Sequence, residues 1–113
     1  MARDDSVRQL LEAAAQSGID YRESSPSRAV APTTEAVAAV DAFLEPMPAE
    51  GTADLSVLKQ LDDIGTPATV TMIGPRYFGF VIGGSLPVTV ASNWLATAWD
   101  QNVGMHEVTP ATA

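Results

Sequence analysis

The chain has 113 residues, 46% of them hydrophobic and 18% charged, which is one domain's worth of sequence and too apolar for disorder throughout. Six basic against fourteen acidic residues leave a formal charge of −8, so the clustered cations of a nucleic-acid surface are missing. No cysteine and one histidine exclude disulfides, thiolate metal sites, cysteine nucleophiles and a histidine-based metal cluster.

The N-terminus leads from Asp4 and Asp5 into Val7, Leu10, Leu11, Ala14 and Ala15. This i, i+3, i+4, i+7, i+8 spacing predicts an amphipathic helix with an acidic start, and Gly18 is its expected stop. No uninterrupted apolar stretch of a secretory leader stands at this end, and a cytoplasmic location is the expectation. Tyr21 to Pro32 has Ser, Pro and Arg without a period and predicts an extended connector. Thr34 to Leu44 carries Val37, Val40, Phe43 and Leu44 on one helical face before Glu45-Pro46. Asp54 to Ile64 repeats the pattern, with Asp54 as the expected N-cap, Leu55, Leu58, Leu61 and Ile64 as the stripe, and Gly65 then Pro67 as the end.

Thr69–Ile73 and Tyr77–Ile82 are rich in β-branched and aromatic residues, a composition that permits two short strands across Gly74-Pro75-Arg76, while the expectation for the chain is a largely extended 66–86 region with little or no sheet. Tyr77 to Trp99 contains no charged residue, a length that raises a membrane span. Gly83-Gly84-Ser85 and Pro87 interrupt it, and Ser92, Asn93 and Thr97 would carry polar groups into hydrocarbon, so no span is expected. Pro87 suits the first turn of a helix on which Ala91, Trp94, Leu95, Ala98 and Trp99 line one face. From Gly104 to Ala113 no closing element is expected.

The expected fold is therefore mainly α: amphipathic helices on long connectors, without the tight helical hairpins that would fold them onto one another. Such helices wrap around something else. The expected division is a helical dimerisation arm over residues 1–66, then a loop and the first helix of a larger domain over residues 67–113.

Single residues carry little chemistry of their own. Lys59, the only lysine, lies on the polar side of its helix and reads as a solvated surface residue rather than a Schiff-base amine. His106 beside Glu107 reads as a surface or interface residue, and Asp100 with Glu107 fixes no acid–base distance. Gly79, Gly83 and Gly84 match no complete phosphate-binding motif, and permissive backbone geometry explains them. Trp94 and Trp99 read as packing residues.

The run Pro75-Arg76-Tyr77-Phe78-Gly79-Phe80-Val81-Ile82-Gly83-Gly84-Ser85-Leu86-Pro87, followed by Asn93-Trp94-Leu95-Ala96, Trp99-Asp100-Gln101-Asn102 and Thr109-Pro110-Ala111, resembles the N-terminal portion of pyridoxal-phosphate-dependent group II amino-acid decarboxylases. The resemblance covers about residues 67 to 113 and is looser upstream. It implies a parent α/β enzyme of the pyridoxal-phosphate transferase fold type I, acting as a carboxy-lyase on an amino acid. The parent would be a homodimer whose N-terminal helices embrace the second subunit. The family's Schiff-base lysine, its ring-stacking histidine and its pyridine-pairing aspartate have no counterpart in these residues, so this chain alone is expected to be inactive and to take no cofactor. The resemblance implies substrate-side positions at Phe80, Val81, Ile82, Gly83 and Asn102; Phe80 stands where glutamate-specific members carry a polar residue. No nucleic acid, membrane or metal partner is expected. The competing expectation is a small non-enzymatic helical interaction module that binds a partner subunit through the same apolar stripes.

Overall fold

The computed structural model describes the backbone of residues 2–112 and the side chains of residues 7–112. Helix α1 runs Ala2–Ser24, so Gly18 does not stop it. A mid-helix glycine costs about 1 kcal/mol, and side-chain pairs one turn apart offset part of that. Arg8 pairs with Glu12 at 3.3 Å, and Gln16 donates to Asp20 at 2.7 Å directly across the glycine. The helix ends in turns rather than in an extended connector, since Ser27 and Arg28 both donate their backbone N–H to the Ser24 carbonyl, at 3.0 and 3.1 Å.

Helix α2, Thr34–Ala39, starts where Thr33 takes an extended backbone and its Oγ1 accepts the Ala36 N–H at 3.1 Å. Its second half tightens into a 3-10 turn, Val40–Phe43, a common way for a helix to finish, before Pro46 and Pro48 forbid continuation. Helix α3 covers Asp54–Gln60. Asp54 is not its cap: Ala53 holds that position without a side-chain bond, and Asp54 instead sits in the first turn, where a carboxylate complements the helix dipole. Nor do Gly65 and Pro67 end the element. A π turn, Leu61–Gly65, leads into the single-turn α4, Thr66–Ala68, with Pro67 in its first positions. A regular α continuation would press the Pro67 ring onto the carbonyl four residues back; the wider turn relieves that clash.

Among the described residues there is no strand, in keeping with the expected mainly α fold, and turns stand where the composition permitted a hairpin. The β-branched residues there spend their backbone groups elsewhere. Thr71 donates its N–H to the Val30 carbonyl and its hydroxyl to the Ala29 carbonyl, both at 2.9 Å. Gly74 and Tyr77 close local turns, and Pro75 has no N–H to offer a ladder. Helix α5, Pro87–Trp99, opens with proline in its first turn and closes at Asp100 in the left-handed region, φ 50°. In the tail, turns gather around the buried Thr109, whose hydroxyl donates to the Asn102 carbonyl.

The chain forms two units, Met1–Ile82 and Gly83–Ala113. In the first, α1 packs against α3, and α2 against α4. Leu10, Ala13, Ala14, Ser17 and Tyr21 form the half-buried stripe of α1. No apolar side chain among the described residues is fully buried; the buried ones are Ser25, Thr71 and Thr109. The chain exposes 9058 Å², against roughly 5,900 Å² for a folded monomer of this mass, or roughly 7,000 Å² if the units are counted as separate compact bodies. The fold is thus mainly α, and the apolar side chains among the described residues stay exposed or half-buried. Among the described residues no helix is long and apolar enough to cross a membrane.

Candidate functional site

Two features of the first unit combine organised polar groups with exposed apolar surface. The first is the loop 77–82 and the polar cluster that ties its base to the end of α1. The Arg28 guanidinium stacks on the Tyr21 ring, 4.5 Å from its centroid, and donates to the Thr66 carbonyl at 3.1 Å. Its Nε is buried without a hydrogen-bond acceptor. The Tyr21 and Thr69 hydroxyls meet at 2.8 Å, and Arg76 donates to the Arg28 carbonyl at 2.5 Å. Gly74 packs closely at this junction: a Cβ there would stand 3.0 Å from the Thr71 methyl and 3.2 Å from the Ser25 carbonyl oxygen.

Beyond this anchor the loop turns outward. Phe78 is 90% exposed, Phe80 88% and Val81 fully so. Phe80 and Val81 occupy the left-handed region at φ 56° and 55°, which is unfavourable for a bulky residue and more so for a β-branched one. Of the positions expected at a substrate side, Phe80, Val81 and Ile82 are neighbours on this loop. Gly83, φ 103°, opens the second unit. Asn102 lies in the second unit's tail, where its Oδ1 accepts the Gly104 N–H at 3.0 Å. The loop residues come together by chain continuity, and Tyr77, whose hydroxyl lies over Gly79, is the titratable side chain within the loop.

The second feature is an open cleft of about 300 Å³ between α1 and α3, lined by Ala13, Ser17, Leu55, Leu58, Lys59, Asp62 and Asp63. Its polar groups are already engaged. Lys59 Nζ pairs with Asp63 at 2.6 Å, and the hydrogen bond and charge of Asp63 hold its ammonium above the ordinary lysine pKa. Hydrogen bonds from Thr66, at 2.5 Å, and from Ser17 hold the Asp62 carboxyl below its ordinary pKa. The i, i+4 spacing of Lys59 with Asp63 was a readable signal for the ion pair. Nothing local signals the bond between Ser17 and Asp62, or the meeting of Arg28 and Arg76, which are far apart in sequence. His106 and Glu107 sit in an exposed turn of the tail. Among the described residues no group of three acidic or histidine side chains could hold a metal ion.

No family model, curated protein or solved structure matches this chain.

Proposed function

We infer that the chain serves as the N-terminal arm and substrate-side loop of a pyridoxal-phosphate-dependent amino-acid carboxy-lyase, with the arm helices gripping a partner subunit. The observation that carries this reading is the absence of any buried apolar side chain among the described residues. Val7 and Leu11 on α1, Val37 on α2 and Leu55 on α3 remain exposed, as helices do when their apolar faces belong to another surface. The outward loop from Phe78 to Ile82, anchored at its base and uncharged at its tip, suits a segment that reaches into a neighbouring pocket.

Pyridoxal phosphate does not fit the residues present. Its Schiff base needs a lysine amine that is readily deprotonated. Lys59 is exposed, ion-paired and held protonated, and its cleft has an acidic rim that would repel a phosphate. In this reading the cofactor's chemistry belongs to a large domain, and these residues contribute grip and pocket wall.

Sequencing the flanking DNA tests the reading. The expected result is a reading frame that continues, in phase or after one frameshift, into a large domain containing a lysine. A frame closed on both sides, with no such domain, would leave the helical interaction module in its place.

A further inference from the structure

We propose that residues 79–82 form a two-state strap on the anchored base of their loop, alternating between the outward left-handed turn and an extended course that aligns Phe78, Phe80 and Ile82. The observation behind it is backbone strain without a restraint. Phe80 and Val81 stand side by side in the left-handed region, at φ 56° and 55°, where bulky and β-branched residues are outliers. Strain of this kind lasts only where surrounding contacts over-determine it. Here they do not. Phe80 is 88% exposed and Val81 fully so, and the backbone bond that closes the turn, from the Ile82 N–H to the Gly79 carbonyl, is long at 3.4 Å.

The neighbouring residues separate what holds from what moves. Before the strap, the buried Thr71 donates its N–H to the Val30 carbonyl at 2.9 Å and Arg76 reaches the Arg28 carbonyl, so the base is fixed on the end of α1. Within the strap, the N–H groups of Phe80 and Val81 donate to no backbone carbonyl among the described residues. Leaving the turn therefore gives up one weak bond and the place of the Tyr77 hydroxyl over Gly79. Glycine at 79, and again at 83 and 84 with φ 103° and 84°, lets the backbone enter and leave the strap by either course.

The two courses present different surfaces. Along an extended segment alternate side chains share a side, so Phe78, Phe80 and Ile82 form one apolar face with Val81 opposite. The left-handed turn breaks that alternation. Residue type favours the extended course, since aromatic and β-branched side chains suit the β region, and no residue from 77 to 82 carries a charge that would hold either form. The strap thus assembles or dismantles a face of two aromatic rings and an isoleucine, and anything that binds one form better shifts the balance by its difference in affinity. The device stands whether or not the decarboxylase reading does.

Two substitutions at Val81 bias the strap in opposite directions. Val81→Asn places a residue that tolerates the left-handed region. Val81→Pro fixes φ at about −65° and drives the preceding Phe80 into extended backbone as well, without removing a backbone hydrogen bond. The readout is the intraresidue amide-to-Hα nuclear Overhauser effect at Phe80, which is strong at positive φ, measured on the full-length chain with labelled phenylalanine. The expected result is an intensity in the parent chain between the two variants, strongest in Val81→Asn and lost in Val81→Pro, as one averaged signal or as two. Thr71 amide protection reports the base and should be the same in all three. A parent intensity equal to that of either variant would show a single conformation and overturn the proposal. So would a drop in Thr71 protection on Val81→Pro, since the turn would then belong to the fold that holds the base.

Discussion

Arg28 shows how much of the first unit rests on one side chain. Its guanidinium is shared between the Tyr21 face and the Thr66 carbonyl, while the Arg28 carbonyl receives Arg76. Arg28→Ala removes the stacking, worth about 0.5–1 kcal/mol at an exposed site, together with a charge-assisted hydrogen bond. The expected outcome is loss of amide-exchange protection at Thr71, whose N–H reaches Val30 across the same junction. Tyr21→Phe, which deletes only the hydroxyl contact to Thr69, should lower protection less. Retained protection in Arg28→Ala would show that the backbone bonds hold the junction by themselves. Asp62 supplies a pH signature. Its pKa lies below the ordinary value, so its contribution is complete above the ordinary carboxylate range and is lost as the pH falls through the depressed value. Asp62→Asn should flatten the acid limb of a urea-midpoint profile that the parent chain shows. Lys59 behaves in the opposite sense: its raised pKa gives a contribution present below the ordinary lysine value and lost as the pH rises through the elevated one. Both residues were readable as polar helix positions, but Ser17 as a partner of Asp62 was not, because that contact requires α1 and α3 to meet.

At the scale of elements, the glycines separate local preference from tertiary demand. Gly65 lies in the π turn with helical angles, and a Cβ there would make only an ordinary 3.7 Å contact with Leu61. Gly65→Ala should therefore raise the thermal midpoint, with about 0.5–1 kcal/mol gained. Gly74→Ala meets the Ser25 carbonyl and Thr71 at close range and should lower the midpoint; a rise would place the turn farther from α1 than described. Thr33→Ala deletes the cap of α2 and should cost about 1 kcal/mol, visible as reduced helical ellipticity. The positions of the helices were legible because apolar periodicity and proline act locally. Their extents were less so. Gly18 and Pro67 are strong local stops, yet the pair across Gly18 and the π turn before Pro67 carried each element on. The segments 69–73 and 77–82 had strand composition, but a strand needs a neighbour with free backbone groups, and the Thr71 N–H goes to the Val30 carbonyl instead, with its hydroxyl donating to the Ala29 carbonyl.

At the scale of the molecule, the described residues form helices whose apolar stripes stay exposed or half-buried. Because no apolar side chain among the described residues is buried, the isolated chain should associate or remain loosely packed. The expected signs are concentration-dependent sedimentation, dye binding typical of exposed apolar surface, and a broad melt. Leu11→Asp, placed on an exposed apolar position of α1, should reduce the association; a compact monomer with a sharp cooperative melt would mean that the stripes satisfy one another. Local chemistry alone established the acidic charge, the absence of thiol and clustered-histidine chemistry, the mainly helical character and the apolar stripes, since each depends on residue type and spacing over a few turns. The anchor of Tyr21, Arg28, Thr71 and Arg76, the engaged cleft of Ser17, Lys59, Asp62 and Asp63, and the outward course of the Phe80–Val81 loop depended on contacts between distant residues. Such contacts arise only when separate elements are brought together in space, and no period in the chain encodes them.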